Sequence, residues 1–129
     1  MQDLAAAHVG AMIYLSVAIF QVAVILGAPL GEFTQGGRAR GSLPTSGRIV
    51  AMVSLVLLML MAGTILAMVG VGPLKEVDSP LIDGLWLGTC AYATLGVILN
   101  AVSRSPKERK VFLPVALAIL CCVAVVALS

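Results

Sequence analysis

The amino-acid sequence predicts an all-α protein, a bundle of four transmembrane helices, and three observations predict it. The chain has 129 residues, of which 60% are hydrophobic and only 11% charged, and its mean hydropathy is +1.10. In a soluble domain roughly a quarter of residues are charged, and a core of this size would leave many of these apolar side chains in water, a cost that lipid removes. Second, the ionisable residues leave four gaps: between His8 and Glu32, between Arg48 and Lys75, between Asp83 and Arg104, and from Val111 onward. Third, the apolar runs are continuous rather than alternating as barrel strands are.

Each gap is long enough. A helix rises about 1.5 Å per residue and needs about 20 residues to cross a hydrocarbon core of about 30 Å. Spans are expected near 9–30, 49–71, 82–102 and 111–128, forming a single membrane domain over 1–129 with connecting loops at 31–48 and 103–110. The first span reads as a retained helix: Met1-Gln2-Asp3-Leu4 has no basic n-region, and the apolar stretch exceeds that of a cleaved signal peptide. Orientation comes from the cations. Arg38, Arg40 and Arg48 lie in the first loop and Arg104, Lys107, Arg109 and Lys110 in the third, leaving only Lys75 of the eight elsewhere. The positive-inside bias therefore places both basic loops in the cytoplasm and both termini outside. The net charge of +2 is a topology signal, with possible contacts to anionic lipid, and no sign of nucleic-acid binding.

The two basic connections differ. The first is rich in Gly, Ser and Thr, and about 17 residues is long for a loop without structure of its own, which points to function or mobility. Within it, Gln35, Gly36 and Gly37 offer backbone N–H groups beside the guanidiniums of Arg38 and Arg40, the chemistry of an anion or lipid-headgroup site, with a flexible basic connector as the alternative. Pro29 is expected to kink or end the first helix. In Ser105-Pro106-Lys107-Glu108 the spacing is that of a capping box with Pro at the first helical position, so the fourth helix should begin at Pro106 and bend near Pro114.

Candidate chemistry inside the spans is sparse. No Asp, Glu, Lys, Arg or His lies deep in any of them, which argues against a carrier built on an intramembrane charge. Gln21, Thr89, Tyr92 and Asn100 form a candidate intramembrane polar site, with Ser16, Ser54, Thr64 and Thr94 as further polar residues; hydrogen bonds between helices or a ligand pathway would account for them. Thr89, Ala93, Gly96 and Asn100 follow steps of 4, 3 and 4 along one face of the third helix. Gly84 and Gly88 form a GxxxG pair, with Gly96 two turns on, so this helix is expected at the bundle centre or at a dimer contact. The fourth, Ala, Val, Leu and Cys almost throughout, is expected to face lipid. Cys90, Cys121 and Cys122 read as apolar packing residues, not as a disulfide or metal set.

Gly27-Ala28-Pro29-Leu30-Gly31, Gln35-Gly36-Gly37, Gly41-Ser42-Leu43-Pro44 and Arg48, with Asn100 and the Arg104–Arg109 segment, resemble an uncharacterised family of small bacterial four-helix integral membrane proteins. The resemblance implies the fold and a bacterial inner membrane and transfers no activity. Small multidrug exporters, which need an embedded Glu in the first helix, fluoride channels, which need Arg and Phe-rich motifs, and glutathione-linked membrane enzymes, which need buried Arg and Glu, all fit poorly.

Two functions are compatible with these residues. One is a non-catalytic polytopic protein, an accessory subunit or membrane-embedded binding protein, in contact with membrane lipids and present as a homo-oligomer or subunit of a larger complex. The alternative is a small oligomeric transporter or channel along Gln21, Thr89 and Asn100, with Arg38 and Arg40 at its mouth. One His and six acidic residues assemble no nucleophile and base, metal cluster or paired carboxylates, so neither an enzyme nor a cofactor is expected.

Overall fold

The structure, a computed structural model, describes all 129 residues. Four helices run Gln2–Ile25 (α1), Thr45–Ala67 (α2), Ser79–Ala101 (α3) and Pro106–Ala127 (α4). All four are long and apolar enough to cross a membrane. At 22 to 24 residues they measure about 33 to 36 Å. One end of the bundle carries the α1–α2 and α3–α4 connections and seven of the eight cations, and is called the basic end below; the other carries both termini and the α2–α3 connection.

Helix boundaries follow local chemistry more closely than charge gaps. α1 begins seven residues earlier than its expected span, where the Met1 amino group pairs with Asp3 at 3.0 Å. It ends at Ile25, before Pro29 is reached. Gly27 has φ +101°, Gly27 N donates to Val24 O at 3.2 Å and Ala28 N donates to Ala23 O at 3.0 Å, the paired bonds of a Schellman stop that only a left-handed residue allows. α2 ends the same way at Gly70, whose N–H reaches Ala67 O while that of Val71 reaches Leu66 O. α4 starts at Pro106 as expected and continues through Pro114.

The helices form a ring in the order α2, α1, α4, α3, with α1 diagonal to α3. The α1–α2 contact is the most extensive and the α2–α3 contact the least. α3 therefore does not occupy the bundle centre, one of the two positions expected of it, and α4 does not simply face lipid. α3 is the least buried helix, contributing only Ile82, Thr89 and Ala93 to the interior. Gly84 and Gly88 are exposed, and a Cβ at either would meet nothing within 4 Å. α4 instead turns Ala116, Ile119, Val123 and Val126 inward. In lipid the inward and outward residues of such a helix are equally apolar, so hydrophobicity does not reveal which face is covered.

Close packing belongs to α1. Ala7, Gly10, Ala11, Tyr14 and Ala18 lie on one face and are all buried. A Cβ on Gly10 would fall 2.8 Å from Ile65 Cδ1 on α2 and 3.2 Å from Cys122 Cβ on α4, so this position is where three helices meet. Around it lies one core of Leu58, Met61, Ala62, Ile65, Ile119, Val123 and Val126. Gly10→Val is expected to lower stability to thermal unfolding in detergent by about 1–3 kcal/mol through overpacking, whereas Gly88→Val on the open face of α3 should stay within about 0.5 kcal/mol of the parent.

Candidate functional site

The polar residues of the spans are mostly satisfied by their own helices. Ser16 Oγ donates to Met12 O, Thr64 Oγ1 to Leu60 O, Thr89 Oγ1 to Leu85 O and Thr94 Oγ1 to Cys90 O, each at 2.8–3.0 Å, and Asn100 Nδ2 donates to Gly96 O at 2.7 Å. None of these bonds crosses between helices, contrary to the expectation that interhelical bonds would use them. Two buried polar atoms remain without any partner: the Tyr14 phenol oxygen and Gln21 Oε1. An unpaired buried polar atom costs about 1–3 kcal/mol, so two in so small a protein call for an explanation.

Both atoms belong to residues that line one cavity of about 370 Å³. It lies between α2 and α3, with α1 and α4 forming its back wall. Tyr14, 1% exposed, stands at its inner end with Leu58, Ala93 and Ile119. Beyond them the core of Ala7, Ala11, Met61, Ala62, Ile65, Val123 and Val126 fills the remaining half of the bundle. Gln21, Ser54, Tyr92, Gly96 and Asn100 line its middle. Val50, Leu95 and Leu99 line it too and are about half exposed, so the cavity opens sideways where α2 and α3 separate. Three of the four residues expected to form the polar site, Gln21, Tyr92 and Asn100, meet here; Thr89 is buried outside it and bonded to Leu85. Tyr14 escaped the sequence reading. The signal was its seven-residue spacing from Gln21, which puts both on one face of α1.

The long first connection is an ordered cap over the basic end. Gly31 N donates to Gly41 O at 2.8 Å, Ser42 Oγ donates to Gly27 O at 2.6 Å, and a Cβ on Gly31 would meet Gly41 O at 2.6 Å, which only glycine avoids. Two 3₁₀ turns, Gly31–Phe33 and Gln35–Gly37, follow. Gln35, Gly36 and Gly37 have φ of +52°, +74° and +71°. The anion-binding chemistry expected of these N–H groups is already taken up within the chain: Gly36 N donates to Glu108 Oε2 at 2.9 Å. Gln35 Nε2 meanwhile reaches Gly47 O at the start of α2, at 2.9 Å.

This use of Glu108 alters its capping box. Glu108 N donates to Ser105 Oγ at 3.2 Å, the first half of the motif. The Glu108 carboxylate turns away from the Ser105 amide, however, and accepts from Gly36 N and from Ser103 Oγ at 2.8 Å, while Ser105 N donates to Ser103 Oγ. Ser105 Oγ donates to Glu32 O, Lys107 pairs with the Glu32 carboxylate and lies 5.6 Å from the Phe33 ring centroid, and Arg109 donates to Ser103 O. Arg38 and Arg40 remain exposed. Phe33, Thr34, Gln35 and Glu108 line the basic end of the cavity, so the cap covers that end.

No known protein family, curated protein or solved structure matches the chain.

Two outcomes follow from the cap. Glu108→Ala, which strands Gly36 N and the buried Ser103 hydroxyl, should lower stability in detergent by about 1–3 kcal/mol, and Glu108→Gln, which keeps an acceptor, should lose less. The hydrogen bond and charge of Lys107 hold the Glu32 carboxyl below its ordinary value of 4.5. A depressed carboxylate contributes its stability above the unfolded value and loses it as pH falls toward the native one. In a pH titration of unfolding, Lys107→Met should therefore shrink the loss of stability seen as pH drops below 4.5, by a small margin because the pair is solvent-facing.

Proposed function

We propose that this chain is a non-catalytic, multi-pass protein of a bacterial inner membrane that binds a small molecule in the cavity between α2 and α3. The observation that carries the reading is a laterally open, mostly apolar cavity bordered by the polar residues Gln21, Ser54, Tyr92 and Asn100. At about 370 Å³ it falls at the lower end of the range of small-molecule sites, about 300–1,000 Å³, and like them it is mostly apolar with a few polar groups. Its closed inner end supports binding over passage, because a channel along Gln21, Thr89 and Asn100 would have to continue through the packed core around Gly10. Membrane lipids are the natural surroundings. The bare Gly84–Gly88 face of α3 suits close approach by a second copy or another subunit. Orientation rests on the cations, which put the basic end in the cytoplasm and both termini outside.

Gly96 provides the test. It lines the cavity, and a Cβ there meets nothing within 4 Å, so a larger side chain grows into open space. Native mass spectrometry from mild detergent should find a small molecule retained by the parent and lost from Gly96→Leu, with both proteins equally helical. A bare parent, or the same adduct on Gly96→Leu, would refute the reading. For orientation, a single Ser42→Cys in a background lacking Cys90, Cys121 and Cys122 should react with an impermeant maleimide only after cells are opened.

A further inference from the structure

The cleft between α2 and α3 ends at the same depth on all four helices. Tyr14, Leu58, Ala93 and Ile119 line its inner end, and each lies within about a turn of the midpoint of its helix. Along α4 the lining runs from Glu108 at the basic end to Ile119, about 16 Å. Half of a hydrocarbon core of about 30 Å is nearly the same length, so the cleft is as deep as one leaflet. Phe33, Thr34, Gln35 and Glu108 cover its basic end, which leaves the lateral opening past Val50, Leu95 and Leu99 as the way in. For a membrane-spanning bundle that opening faces acyl chains. A chain of the leaflet at the basic end can enter sideways and lie along the cleft, with its headgroup left outside at the level of the helix ends.

The rim where that headgroup would lie is cationic. Seven Lys and Arg occupy the basic end with two carboxylates, and both carboxylates are engaged, Glu32 by Lys107 and Glu108 by Gly36 N and Ser103 Oγ. Arg38 and Arg104 are exposed and take part in no ion pair. Each follows closely in sequence on a residue that lines the cleft, Arg38 on Gln35 and Arg104 on Asn100. Their chain neighbours touch, since a Cβ on Gly37 would fall 2.7 Å from Ser105 Cβ, which keeps the Cα atoms of Arg38 and Arg104 within about 14 Å of one another. Two unengaged guanidiniums above the end of one apolar slot suit a lipid phosphate. The opposite end carries Asp3, Glu76, Asp78 and Asp83 with Lys75, the wrong sign for such a headgroup.

Resting on the binding reading above, we infer that the occupant is an anionic phospholipid of the leaflet at the basic end, with one acyl chain in the cleft and its phosphate held by Arg38 and Arg104. Burial of the chain supplies the affinity, and the two arginines select the headgroup.

The test uses the full-length protein in phosphatidylcholine vesicles containing a trace of one of two photoreactive lipids, a phosphatidylglycerol or a phosphatidylcholine with the same diazirine-bearing acyl chain. Labelling at Ser54 and Phe112, half-buried in the cleft lining, is normalised to labelling at Ile19, which is exposed on α1. The phosphatidylglycerol should label the cleft about fivefold more than the phosphatidylcholine, as two solvent-facing pairs allow. High salt, which screens the rim, should shrink that preference. Arg38→Gln combined with Arg104→Gln should bring the two lipids level, Arg38→Lys combined with Arg104→Lys should keep most of the preference, and Gly96→Leu should abolish cleft labelling by either lipid. Equal labelling by the two lipids in the parent, or a preference that survives the double Gln variant, would overturn the inference and leave a chain-binding cleft standing. If Gly96→Leu leaves labelling by both lipids unchanged, no lipid occupies the cleft and the inference fails; the binding reading fails with it only where native mass spectrometry also finds the parent bare.

Discussion

The architecture depends on how closely two helices can approach α1. Helices in lipid gain nothing from hiding apolar surface from one another, so packing quality decides which neighbours associate. Ala7, Gly10, Ala11 and Ala18 remove side-chain bulk from one face of α1 and let α2 and α4 come against it. α3 buries only Ile82, Thr89 and Ala93: its glycines at 84 and 88 are on the open side, and Gly96 opens onto empty space. The ring therefore closes tightly around α1 and loosely between α2 and α3. The cavity is the volume left by that inequality, and it occurs where Tyr14 and Gln21 leave α1 for the bundle centre.

A second constraint keeps the loose side from affecting the basic end. The Glu108 carboxylate joins Gly36 in the first connection to Ser103 in the third, so one side chain ties the two helical hairpins together. Three consecutive positive φ values at Gln35, Gly36 and Gly37 present the N–H that it needs, and Gly37 must be glycine for a second reason, since a Cβ there would fall 2.7 Å from Ser105 Cβ. What reads in sequence as a loose, glycine-rich linker is conformationally specified, and its glycines serve the backbone angles and contacts of the cap.

Much of the fold is legible in the sequence because charge is so costly in hydrocarbon. The gaps around His8, Glu32, Arg48, Lys75, Asp83 and Arg104 locate four helices, and Pro106 marks the start of the last. The inward face of α3 is legible too, since Thr89, Ala93, Gly96 and Asn100 stand out against Leu and Ile. The ends of α1 are not, because a span is bounded by charges and a helix by hydrogen-bonding partners, here Asp3 and the turn at Gly27. Neither is the ranking of helices. A GxxxG pair permits close approach without supplying the partner, and Ala7, Gly10 and Ala11 do not stand out in a run that is apolar throughout. The polar site was half visible: Gln21, Tyr92 and Asn100 announce themselves as polar residues in apolar spans, whereas Tyr14 looks like an ordinary aromatic until its phenol is found buried without a partner.

The intrahelical bonds of Thr89, Thr94 and Asn100 have a mechanical meaning. Because each closes on a carbonyl one turn back, α3 shares no hydrogen bond with any other helix. Shifting it by a fraction of an ångström breaks no polar contact and forfeits only dispersion, about 0.1–0.2 kcal/mol per atom pair. The α3 wall of the cleft is thus held by packing and its connections alone, whereas the α1 side is fixed by the close contacts around Gly10.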